Sequence, residues 1–218
     1  MLHAILRHID RVYDLELNVD IADFLVNADT CSRLGQDIRH ASVLVRETAE
    51  ADELELGIYI GEEALRILAE IDLTGTIRAE SFEVLVTAIE EVSHFAYLVF
   101  SASEKRHVTQ LELELQAEVD KFITATLLLA SRNQGRVPRD LLDRLFGDFE
   151  TRAGLDADTR QRYAAAASMA SRYCAYVVRA SMARESMDID ALLPELRSFY
   201  RLTQRGKIGR IHNVVYAA

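Results

Sequence analysis

Half of the 218 residues are apolar, enough to bury a sizeable core, while two prolines and nine glycines exclude a collagen-like or low-complexity chain. A formal charge of −10 argues against a dedicated nucleic-acid binder, which needs cations to displace phosphate counterions. Two cysteines, Cys31 and Cys174, make no disulfide framework and fit a reducing compartment.

Leu2, Ile5, Leu6, Ile9 and Val12 recur at helical spacing, so the first thirteen residues predict an amphipathic helix. The same stretch lacks the apolar run and cleavage site of a secretory leader. The segment DLELNVDIADFLVNAD fits neither period cleanly and is read in part as strand. Ser42 to Glu47 (SVLVRE) and Leu54 to Ile60 (LELGIYI) are short β-rich runs flanking the acidic TAEADE, which predicts a β-hairpin with a longer loop. After Gly61 the pattern turns helical in EEALRILAEI and breaks at LTGT.

Two long helices are expected over about 79–102 and 108–131. NQGRVP is a loop, and Pro138 suits the first turn of the helix RDLLDRLF, where its missing N–H costs nothing. Asp156 or Asp158 is the expected N-cap of a helix over about 159–184. Asp188 or Asp190 opens a last helix, PELRSFYRLTQ, and Gly206 and Gly209 punctuate the tail. The fold class expected is therefore mainly α (α+β): a small N-terminal α+β part over 1–75, its β-hairpin packed on a bundle of about five helices over 76–218. The longest apolar run, ITATLLLA, falls short of the ~20 residues that span a bilayer, so a cytoplasmic protein with no membrane segment is expected.

Candidate chemistry concentrates between Glu90 and Phe122. On the first long helix Glu91-Val-Ser-His94 is a Glu-x-x-His pair, the spacing that supplies half the ligands of di-metal carboxylate bundles. The second such pair, Glu104-Lys-Arg-His107, falls where the helix ends and makes a poor second half. On the next helix Leu111, Leu115, Val119, Phe122, Thr126 and Leu129 form an apolar stripe. Glu118 lies on its edge and Glu114 one turn earlier. A carboxylate among core neighbours must be paired, liganded, protonated or at an interface. Glu91, His94, Glu114 and Glu118 are thus the candidate ligands of a divalent metal or an acid/base group. The plainer account gives Glu118 an arginine partner, from Arg160, Arg162, Arg172 and Arg179. Glu112, Gln116 and Asp120 fall off the stripe and are expected in solvent.

Asp37-Ile-Arg-His40 has ligand spacing but reads as a surface turn. Cys174, among Ala, Tyr and Val, reads as a small buried apolar residue. The helix carrying Tyr163, Tyr173 and Tyr176 reads as a central packing helix or a tyrosine-anchored interface.

Charge is uneven. From Glu47 to Glu91 thirteen acids stand against two arginines, and from Leu192 to Ala218 five Lys/Arg stand against Glu195 alone. Arg197, Tyr200, Arg201, Arg205, Lys207 and Arg210 are the candidate interaction residues of that basic stretch. Phosphate-loop, Gly-x-Ser-x-Gly and His-Glu-x-x-His motifs are absent from the sequence. Two readings follow. One is a soluble, non-enzymatic interaction or regulatory protein using complementary acidic and basic surfaces toward a protein partner or a second copy. The other is a metal-binding carboxylate/His helical bundle with redox or hydrolytic activity.

Overall fold

A computed structural model describes residues 1–34, 41–48, 53–71, 77–132, 140–147, 156–181 and 189–216. The Asp37/His40 pair, the loop between the two strands, the LTGT turn, Pro138 and Asp188 lie outside the described residues. The protein is mainly helical, with nine α-helices and a two-stranded antiparallel hairpin among the described residues. The chain forms two compact units. The first comprises residues 1–10 and 15–106, and the second comprises residues 11–14 and 107–218.

α1 (Leu2–Tyr13) belongs to the first unit as far as Asp10, and its Leu2, Ile5, Leu6 and Ile9 are buried as their spacing requires. The stretch read in part as strand is not one. It is a 3-10 turn (Ile21–Phe24) and a short helix, α2 (Ala28–Arg33). Two side-chain caps explain this. Asp20 accepts from the Ala22 N–H and Asn27 from the Thr30 N–H, both at 2.9 Å. Asp and Asn closing on nearby N–H groups compete with strand pairing.

β1 (Ser42–Thr48) and β2 (Glu53–Tyr59) pair antiparallel in an unbroken register from Ser42↔Tyr59 to Thr48↔Glu53. Leu25 adds a parallel bridge to Ile58 on the far edge of β2, and the Val26 N–H donates to the Ile58 carbonyl at 3.0 Å. Gly57 lets Val26 approach closely there, since a Cβ would stand 3.0 Å from Val26 Cγ1. The hairpin and α3 (Glu62–Glu70) pack on α4 (Ala79–Ser103), and Phe24 meets Phe95 of α4 edge-on. By length and hydropathy α4 would suit a bilayer, yet 67 % of that apolar window is buried within the protein. It ends in a Schellman turn. Lys105 takes φ 51°, its N–H donates to the Ala102 carbonyl, and the Arg106 N–H reaches back to Ser101 at 2.8 Å.

The second unit holds α5 (Gln110–Arg132), α6 (Leu141–Phe146), α7 (Ala157–Ser181), α8 (Ile189–Tyr200) and α9 (Gln204–Tyr216). α7 is the hub and packs on each of the other four. Its small residues Ala166, Ala167 and Ala170 are buried, as are Tyr173 and Cys174. Asp156 is its N-cap, accepting from the Thr159 N–H at 2.9 Å. The last helix expected from the sequence is two. The chain turns at 201–203, and the tail thought to be punctuated by glycines is α9.

Candidate functional site

α5 carries the chemistry of the second unit. Its opening LELELQAEVD alternates apolar and polar residues. At 100° per residue a period of two distributes the acids around the whole helix, so no single face can hold them in water. The result corrects one expectation. Glu112, Gln116 and Asp120, read as solvated, are all buried, and Gln116 and Asp120 are wholly so. They stand one turn apart and form a polar row.

Each member of the row has a partner. The Gln116 side-chain amide donates to Asp120 Oδ1 at 2.8 Å and its Oε1 accepts from Lys207 Nζ at 2.6 Å. Lys207, with no exposed surface, also donates to the carbonyls of Phe199 and Tyr200 at 2.9 and 3.1 Å. It lies 4.5 Å from the Phe199 ring centroid. These carbonyls close α8, so the ammonium caps a helix C-terminus, where positive charge is favoured. Asp120 accepts in turn from the Tyr13 hydroxyl. The Tyr13 ring stacks on Tyr200 with centroids 4.2 Å apart. At the other end of the row Glu112 Oε2 accepts from the Gln204 N–H at 2.9 Å. A carboxylate thereby caps the N-terminus of α9, the complementary sign at the complementary helix end.

Burial, then the adjacent Asp120 carboxylate, pushes the Tyr13 phenol well above its ordinary value. Burial followed by Glu118 and Asp120 does the same for the Cys174 thiol, and burial followed by Glu195 for Tyr173. All three therefore stay protonated at neutral pH. A neutral phenol and a neutral thiol inside a packed helix bundle are poor nucleophiles.

The four candidate ligands divide between the units. Glu91 and His94 lie on α4 in the first, both buried, with His94 Nδ1 3.7 Å from Glu91 Oε2. Glu114 and Glu118 lie on α5 in the second, also buried. Glu118 has a cation within its own helix, because Lys121 Nζ stands 2.8 Å from Oε1. Among the described residues no group of three or more His, Cys, Asp or Glu side chains could hold a metal ion.

The candidate interaction residues of the C-terminal stretch are mostly engaged inside the second unit. Besides Lys207 and the fully buried Tyr200, Arg197 donates to the carbonyls of Val12 and Arg11 at 3.1 and 3.4 Å. Arg201 donates to those of Tyr13 and Asp14 at 2.8 and 2.7 Å. Arg210 pairs with Glu195 at 2.5 Å, and Glu195 also accepts from Tyr173. Arg205 is exposed. Sequence reasoning missed Tyr13, Asp120 and Gln116 as members of one network. The period-two run on a helix was the available signal for the last two. No protein-family model, curated protein or solved structure matches this chain.

Proposed function

We propose that this is a non-enzymatic interaction or regulatory protein that offers an acidic surface to a cationic partner protein. One observation carries the reading. Four cations of the basic C-terminal stretch, Arg197, Arg201, Lys207 and Arg210, are engaged within the second unit, on carbonyls, on Gln116 and on Glu195. Glu62, Glu80 and Glu83 of the first unit meanwhile stand exposed. A surface of one sign steers a partner of the other sign and screens out wrong ones. The test is retention of co-purifying protein by the wild type and by a variant with Glu62, Glu80 and Glu83 changed to lysine. Partners held at about 50 mM salt should leave at about 500 mM, where charges are screened over a few ångströms, and the variant should not hold them. Retention indifferent to salt and to the three lysines overturns the proposal.

A metal-binding carboxylate/His protein is the second reading, and the buried Glu91–His94 contact on α4 is what supports it. Elemental mass spectrometry of the purified protein tests it. That reading expects near-stoichiometric metal that is lost in His94→Ala. A metal-free wild type removes it.

A further inference from the structure

We infer that the outer edge of β1 is a docking site for an extended, cationic segment of a partner protein, which would add to the hairpin as a third strand. The inference rests on the interaction reading above and names its surface.

Three observations point to it. First, β2 pairs along its length with β1 and is bridged at Ile58 by Leu25 on its other edge, whereas no strand among the described residues pairs with the other edge of β1. An open edge offers a row of main-chain donors and acceptors, and proteins usually guard it with lysine, proline or a bulge. SVLVRET has no proline, its register with β2 has no bulge, and its charges, Arg46 and Glu47, are confined to its last three residues.

Second, the sheet has an apolar face that reaches this edge. Paired residues share a face, so Val43 with Ile58, Val45 with Leu56, and Leu25 beside Ile58 lie on one side. Ile58 is fully buried, but Val45 is 49 % exposed and Leu25 40 %. An added strand would place alternate apolar side chains beside Val43 and Val45, the mode in which main-chain bonds give affinity and alternate side chains give specificity.

Third, charge selects the occupant. Between Ser42 and Tyr59 five acids stand against Arg46, and Arg46 is already bound to Glu55. A second copy would bring the same acidic hairpin to the edge, and like charges across strands are unfavourable. The chain's own cations in the C-terminal stretch, Arg205 apart, are engaged as described. A foreign strand with alternating apolar and basic residues answers both the face and the charge.

The experiment uses the full chain and two labelled decapeptides of equal charge, one alternating valine and lysine, the other alternating proline and lysine. Proline removes the N–H groups that a ladder needs. Binding is read by fluorescence anisotropy at low salt, for the wild type and for Val45→Lys. Val45→Lys puts a charge at an exposed position, and its fold is checked by circular dichroism. The valine peptide should bind about tenfold tighter than the proline peptide, and Val45→Lys should remove that difference. Equal binding of both peptides, untouched by Val45→Lys, overturns the edge site and leaves the acidic-surface reading standing. No binding of either at low salt overturns both. A concentration-dependent dimer that disappears in Val45→Lys, seen by light scattering, would make the occupant a second copy and overturn the choice of partner.

Discussion

A lysine with no exposed surface, held by one amide oxygen and two carbonyls, is the residue on which the second unit turns. Lys207→Met keeps most of its volume but leaves Gln116 and the last carbonyls of α8 without their donor. Buried polar groups stripped of a partner carry the full desolvation penalty, so the variant should lose about 3 kcal/mol of stability in urea denaturation. A loss under about 1 kcal/mol would mean that the site relaxes or admits water. Asp120 and Gln116 were not legible as core residues, because a stripe of leucines invites the reader to assign every acid to the opposite side. Glu118 was legible as a misplaced carboxylate. Its cation came from Lys121, three residues along the same helix, a partner too local for a search among distant arginines.

Elements with strong periodicity were readable and those held by tertiary contacts were not. The five apolar positions of α1, the two strands with their acidic connection, and α4 and α5 all announce themselves through side-chain spacing alone. α9 does not, since two glycines in six residues weaken any helix signal. Its existence follows from Glu112 capping Gln204 and from Lys207 anchored beneath it. The two glycines are not equivalent. A Cβ at Gly206 would stand 3.1 and 3.2 Å from Leu202 Cβ and Cδ2, whereas one at Gly209 would meet nothing within 4 Å. Gly209→Ala should therefore raise stability by about 1 kcal/mol, the ordinary helix-propensity gain. Gly206→Ala should give up most of that gain to the displaced Leu202 side chain. Thermal melts of the two single variants decide the matter, and equal shifts would contradict this account of Gly206.

For the molecule as a whole the fold class, mainly helical with one hairpin, was legible because few breakers and a 3.6-residue period leave little choice. Its response to pH follows from the protons it buries. Tyr13, Tyr173 and Cys174 all have raised values in the folded state. The folded state thus holds these protons more tightly than the unfolded chain does. Their contribution is complete below the unfolded values, near 8.5 for the thiol and 10 for the phenols, and is lost as the pH climbs through the raised ones. Denaturant midpoints should hold level from pH 7 to about 8.5 and then fall. Tyr13→Phe should flatten part of that fall, and a slope unchanged in this variant would assign the effect elsewhere.

The grip of Arg197 and Arg201 on the carbonyls of residues 11–14 has a consequence for how the protein is made. These bonds join positions 185 to 188 apart in the chain. Synthesis runs from the N-terminus at about 5–20 residues per second. The segment Arg11–Asp14 is therefore made many seconds before α8. Until then Val12 and Tyr13, buried in the finished protein, have no final seat. The second unit therefore closes only once α8 has been made and can reach back to residues 11–14.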